Sequence, residues 1–163
     1  MSTFEDAFTA LIGNEGGYSN NPADPGGETM WGITARVARK HGYMGEMRNL
    51  PLETAKAIAK AEYWDAVRGD ELSPALAFQL FDTCFNSGAG EAVILLQRSL
   101  GVIADGRFGP ATMAAIHAFP DEDKLIGRFD ANRLLYLADL GTWPSFGRGW
   151  ARRIANNLLR AMQ

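Results

Sequence analysis

The sequence predicts a mainly α-helical fold, a compact bundle with a turn-rich loop after its first helix, and three observations carry that expectation. Apolar residues recur at helical spacing in successive segments from Phe4 to Met162. Prolines and glycines fall at the ends of those segments, where helices start and stop. The 163 residues are 47% hydrophobic and 21% charged, enough to bury one sizeable core and outside the disordered class. One unit, or at most two closely packed lobes, is expected.

The first helix follows from Phe4, Ala7, Phe8, Leu11 and Ile12, which share one face. Ser2 is its expected N-cap, with Glu5 completing a capping box. Glu15 stands one turn after Leu11 and is followed at once by Gly16, Gly17 and Tyr18, so a lone carboxylate falls where the helix should stop. Burial on that face and the negative end of the helix dipole both disfavour the charged form. A carboxyl in that setting keeps its proton and can donate it. The plainer reading is an exposed carboxylate ahead of a glycine C-cap, as most Glu-Gly pairs are.

The segment Ser19 to Thr29 holds too many turn formers for a helix or a central strand and reads as an ordered loop able to cross a cleft. It carries Asp24 and Thr29, a second carboxylate and a hydroxyl. Glycoside hydrolysis uses such an inventory: a protonated acid for the leaving oxygen, an ionised carboxylate, and a positioned water or nucleophile.

Six further helices are expected, over Leu52 to Trp64 after Pro51, Pro74 to Asn86 after Ser73, Glu91 to Leu100, Pro110 to Phe119, Asp121 to Leu140, and Phe146 to Met162. The segment from Pro74 is apolar nearly all round, with Leu76, Leu80 and Cys84 on one face and Ala77, Phe81 and Phe85 on another, so it should be the buried centre. Asp82 and Asn86 form its polar stripe, lining a cleft or bonding loop backbone; the structural role is preferred. In the last segment Phe146, Trp150, Ile154, Leu158 and Met162 account for a packed helix, which favours a solvated face for Arg148, Arg152, Arg153 and Arg160 over a wall- or membrane-seeking basic tail.

Other chemistries find little in the chain. Lone Cys84 sits among apolar neighbours, His41 and His117 have no clustered partners, and no serine or thiol triad is evident, so neither a metal nor a cofactor is expected. The acidic first part, with Glu5, Asp6, Glu15, Asp24 and Glu28 and no Lys or Arg before Arg36, argues against nucleic acid. The N-terminus does not read as a secretory signal and no run reaches membrane-spanning length, so stable membrane insertion is not expected. Among the aromatics, Tyr18 and Trp31 flank the loop and are the first candidates for stacking on sugar rings. Tyr63 and Trp64 are assigned to the core.

The run from Glu15 to Thr34, with EGGY, DPGGET and WGIT, resembles the N-terminal half of glycoside hydrolase family 108, the bacterial and phage N-acetylmuramidases. Glu62-Tyr63-Trp64-Asp65, Arg68 to Leu72, Phe81-Asp82 and Asn86-Ser87-Gly88 extend the resemblance. Trp31 departs from it, standing where the family would have Phe or Tyr. Leu96-Gln97, Asp105-Gly106 and Gly109-Pro110 resemble the small helical peptidoglycan-binding modules, in which such a loop joins two helices. The resemblance implies a lysozyme-like helical bundle with a catalytic muramidase region over 1–88 and a peptidoglycan-binding-like region over 89–163 packed on it as one unit. It implies Glu15 as catalytic acid, Asp24 and Thr29 completing the machinery, and Tyr18, Trp31, Asn86, Arg107 and Phe108 meeting peptidoglycan. With a cell-wall substrate and an N-terminus that does not read as a secretory signal, a protein made in the cytoplasm and released to the wall by a holin or a dedicated secretion route is expected, acting as a monomer. Two rivals share these features: a lytic transglycosylase acting on the same bond, and a wall-binding or secretion-helper protein that has kept only the fold.

Overall fold

Helices form where apolar spacing and capping residues coincide. The computed structural model describes residues 4–12, 17–22 and 26–163, so Ser2, Glu15 and Asp24 lie outside the described residues. Helix α1 (Phe4–Ile12) buries Phe4, Ala7 and Phe8 and half-buries Leu11 and Ile12, as its spacing predicts. Glu5 turns to Lys56, whose Nζ lies 2.8 Å from its carboxylate.

The turn-rich loop ends in a small antiparallel hairpin of β1 (Thr29–Met30) and β2 (Ile33–Thr34), in register Thr29 to Thr34 and Met30 to Ile33. Ser19 bridges to Thr29 through paired backbone hydrogen bonds of 2.9 and 2.8 Å. Trp31 and Gly32 make the turn with φ of 53° and 74°, positive at both central positions, which matches the twist of the flanking strands. Thr34 then accepts from the Val37 amide at 3.2 Å and caps α2 (Ala35–Lys40), a helix the sequence reading did not anticipate.

The helix expected over Leu52 to Trp64 is only partly α. Helix α3 (Leu52–Ala59) passes into a π turn over Lys60–Trp64 and a 3-10 turn over Asp65–Val67, closed by Arg68 at φ 53°. The indole explains this ending. A Cβ on Gly69 would lie 2.4 Å from the Trp64 ring, so the chain can fold across that ring only as glycine. The ring N–H reaches Asp70 Oδ1 at 2.8 Å, and the side chain is 1% exposed.

Helix α4 (Pro74–Ser87) is the buried centre the sequence predicts. Ser73 caps it on the Leu76 amide at 3.2 Å, and Gly88, at φ 87°, ends it and starts α5 (Ala89–Leu100) without a linker. Helix α6 (Pro110–Ala118) begins on Pro110, α7 (Glu122–Ala138) is capped by Asp121, and α8 (Trp143–Ala161) starts three residues before the expected Phe146. Helices α4, α5, α7 and α8 pack on one another, and one apolar cluster runs from Phe4 to Phe129. That cluster joins residues of both stretches, 1–88 and 89–163. None of the described helices is long and apolar enough to cross a membrane.

An ionic knot lies inside this packing. Asp82 of α4, 2% exposed, receives Arg153 Nε at 2.9 Å, Arg153 Nη2 at 2.8 Å and Asn157 Nδ2 at 2.8 Å, all from α8. From α7, Arg133 brings Nη1 to within 2.8 Å of the same carboxylate and is itself 0% exposed. Neither role expected of Asp82, cleft lining or loop bonding, is the one it plays, because its partners are side chains of distant helices. Gln79 adds a bond from Nε2 to the Asn157 carbonyl at 2.9 Å. Burial alone would raise the Asp82 pKa, but the two guanidiniums outweigh it and hold the group below the usual carboxylate range. Asp130, one turn before Arg133, is 1% exposed and finds no hydrogen-bond donor among the described residues. Burial, opposed by Arg133 and helped by Asp82, pushes its pKa up to about 7.

These two carboxyls set opposite pH trends. Asp130 keeps in the fold a proton that the unfolded chain releases near pH 3.9, so its share of stability is present below that value and is lost as pH rises toward about 7. Asp130→Asn removes this loss. Urea unfolding at about pH 4.5 and about pH 8 should show the variant gaining on the wild type at the higher pH by on the order of 2–4 kcal/mol. An equal gap at both pH values would contradict a protonated Asp130.

Candidate functional site

The hairpin, the C-terminal end of α4 and the first turns of α8 enclose a cleft of about 420 Å³. Thr29 and Asn86, both singled out in the sequence, meet there. The same cleft is lined by Phe85 on α4 and by Phe146, Trp150 and Arg153 on α8, which sequence reasoning did not assign to a site. Their signal was present, since the three α8 residues share a face at helical spacing. What was missing was the partner surface. The apolar stripe read as packing divides in the structure: Ile154 is 3% exposed, Phe146 and Trp150 are half-buried at the cleft, and Met162 is 54% exposed.

Backbone geometry brings the hairpin to the cleft. Thr29 is held on both sides, by Ser19 and by its partner Thr34, while Ala35 N donates to the Glu28 carbonyl at 2.9 Å. A Cβ on Gly32 would lie 2.2 Å from Phe85 Cε1, so only glycine lets the turn rest on that ring. Phe85 continues into the core through Tyr63 at 4.9 Å and Phe81 at 5.8 Å between centroids. Tyr63 and Trp64 are buried, as the sequence reading has them. Burial raises the Tyr63 phenol to about 12, so it stays neutral.

The remaining candidates stand elsewhere. Trp31 donates its ring N–H to the Leu50 carbonyl at 2.9 Å and packs on the core. Neither Phe nor Tyr carries a donor at that ring position, so it is tryptophan in particular that fastens the hairpin to the segment before α3. Tyr18 is exposed, donates its hydroxyl to Glu28 Oε1 at 2.8 Å, and has the Arg48 guanidinium over its ring at 4.7 Å. One ring face is thereby occupied by a cation rather than free for a sugar.

Arg107 lines a second groove, of about 690 Å³, beneath the loop between α5 and α6, together with Ile103, which is 86% exposed. Gln97 knots that loop: Nε2 donates to Asp105 Oδ1 at 2.8 Å and Thr112 Oγ1 at 3.1 Å, and Oε1 accepts from Gly106 N at 2.9 Å. The backbone bond from Arg107, aided by Gln97, holds Asp105 below its ordinary pKa. Phe108 is half-buried against the main cluster and so contributes to packing.

His41 is not without partners, since Nε2 lies 2.8 Å from Glu62 Oε2, which also meets Lys40 Nζ at 2.8 Å. Burial would raise Glu62, but Lys40 and His41 outweigh it and lower its pKa. No group of three or more His, Cys, Asp or Glu with metal-binding placement occurs among the described residues. Cys84 is buried, and burial raises its thiol pKa far above the ordinary value.

Comparison with known proteins adds to this geometry. The glycosyl hydrolase 108 family model matches residues 8–88, and the model described as a predicted peptidoglycan domain matches residues 91–155. The solved structure of Brucella abortus SagA is similar over 99% of this chain and 94% of that one, at 34% identity and a TM-score of 0.91. No curated protein matches the chain. The cleft lies across the two matched stretches, with Thr29 and Asn86 in the first and Phe146, Trp150 and Arg153 in the second.

Gly32→Ala tests the hairpin seat. Its Cβ meets Phe85 in a backbone conformation that strains any L-residue, so the fold should lose about 1–3 kcal/mol in urea unfolding. Any catalytic activity should fall further than stability does, because Phe85 is part of the cleft. Unchanged stability would show that the turn does not rest on that ring.

Proposed function

We propose, for a chain that belongs to the glycosyl hydrolase 108 family, that it hydrolyses the β-1,4 bond between N-acetylmuramic acid and N-acetylglucosamine in peptidoglycan. Family membership makes it a peptidoglycan hydrolase at the level of class. The observation that carries the finer reading is the cleft itself. It joins the end of the turn-rich loop to aromatic side chains on α8, and a sugar chain needs such a mixture of polar groups and flat apolar surface.

In this reading Glu15 protonates the departing glycosidic oxygen. Ser19, four residues after Glu15, is bridged to Thr29, which lines the cleft, and this supports the assignment from the chain's own connectivity. Asp24 steers the attacking water as base or stabilises the oxocarbenium-like transition state, and Thr29 hydrogen-bonds that water or the sugar. Thr29 lines the cleft, and its backbone is fixed there by paired bonds to Ser19. Asn86 offers an amide to the substrate from the opposite wall.

Mass spectrometry of digested sacculi tests the reaction. Reducing muramic acid ends are expected. Anhydro ends would instead assign a transglycosylase, and no products would leave wall binding alone. Glu15→Gln keeps the shape but removes the proton donor, so turnover should fall about 10²- to 10⁴-fold with folding preserved. Near-normal turnover in the purified variant would remove Glu15 from the chemistry.

A further inference from the structure

Arg153 is the only charged side chain among the described residues that line the cleft. It is held in place from behind. Nε and Nη2 are committed to Asp82 at 2.9 and 2.8 Å, yet the side chain remains 35% exposed. A guanidinium has five N–H donors, and this arrangement leaves Nη1 and one hydrogen of Nη2 outside the Asp82 contact. Its planar fork is thus already oriented, and a ligand would not have to order it.

Charge balance points the same way. Two guanidiniums, Arg133 and Arg153, share the single carboxylate of Asp82. Asp130 cannot neutralise the second while burial keeps it protonated, which holds up to about pH 7. Among the described residues one positive charge is therefore in excess, and the only one of the two guanidiniums that reaches the surface is Arg153. Along the same face of α8 stand Trp150 and Phe146, half-buried, with ring centroids 5.7 Å apart and planes tilted by 30°. An oriented cation beside an aromatic wall suits a sugar that carries a carboxylate close to its ring.

We propose that Arg153 is a specificity-determining residue that receives a carboxylate borne on the lactyl arm of muramic acid, while Phe146 and Trp150 pack against the adjoining sugar ring. This inference rests on the peptidoglycan reading and deepens it. The carboxylate has two sources in wall material: the lactyl group itself where the peptide has been removed, and the stem peptide where it has not. Glycans built only of N-acetylglucosamine offer neither, so the residue separates peptidoglycan from chitin-like chains.

The test uses the full chain on three materials: intact sacculi, sacculi whose carboxylates have been converted to amides, and glycan strands stripped of peptide. Amidation should raise the wild-type KM about 10-fold with kcat nearly unchanged, and Arg153→Gln should raise it about 10-fold on intact sacculi. The two changes should not add, because each removes the same pairing, so Arg153→Gln should be indifferent to amidation. Arg153→Lys keeps a charge against Asp82 and should lose less. In intact sacculi the lactyl carboxyl is already amide-bonded to the peptide, so a loss on intact sacculi assigns a peptide carboxylate and a loss confined to stripped glycan assigns the lactyl one. Equal, non-zero losses on intact and amidated sacculi, or no loss on any of the three materials, would overturn the proposal. If no material is cleaved, the hydrolase reading fails separately. Pull-down of the wild type and Arg153→Gln on the same three materials then still decides the role of Arg153, with weaker retention of the variant on intact sacculi or stripped glycan but not on amidated sacculi supporting it and equal retention throughout rejecting it.

Discussion

Asp82 is one carboxylate on which three helices close. Without it α7 and α8 would present two guanidiniums to a core helix, and buried charge left unpaired costs several kcal/mol. With it, α8 is fixed in rotation about its own axis, because Arg153 and Asn157 reach the same group one turn apart. That rotation decides which α8 residues meet the hairpin. The ionic knot is modest evidence for stability, since an apolar replacement of similar volume serves many cores as well, but it specifies an orientation that apolar packing alone leaves loose.

The other wall of the cleft is positioned by aromatic contact. Phe4, Trp64 and Phe81 meet edge-on at 5.5 to 5.7 Å between centroids, and Phe81 hands on to Phe85. These edge-to-face pairs fix ring planes as well as distances. The hairpin sits on the last ring of that series through Gly32, while Trp31 ties it to Leu50 on the far side. One wall thus takes its position from charge and the other from ring packing, and both originate on α4.

Much of this was legible in the residues. Ser73, Pro110 and Asp121 announced their helices by chemistry that acts within one turn, and the apolar spacing of α4 gave its central place. The hairpin was not read because two-residue strands are too short to show a period. Its available signals were Gly32 in a two-residue turn and Thr34 as a cap. The π turn before Trp64 was hidden because it changes hydrogen-bond partners without changing composition. Nor does any local pattern announce that Asp82 pairs with Arg153, 71 positions away. The site was legible to the same extent. Thr29 and Asn86 carried recognisable surroundings, whereas Phe146, Trp150 and Arg153 resembled an ordinary amphipathic helix until the opposing wall was in place.

Gly88 joins α4 directly to α5, and the two family-matched stretches, 8–88 and 91–155, meet there. A boundary of that kind invites recombination, in which one half is exchanged and the other kept. The shared cleft makes such an exchange different from swapping a tethered module. A new second half would bring its own helix face to the cleft and its own partners for Asp82, so a graft at Gly88 would alter the cleft lining and core electrostatics in one event. Inheritance of the two halves is therefore expected to be coupled, with drift in α8 tracked by drift in the hairpin it faces.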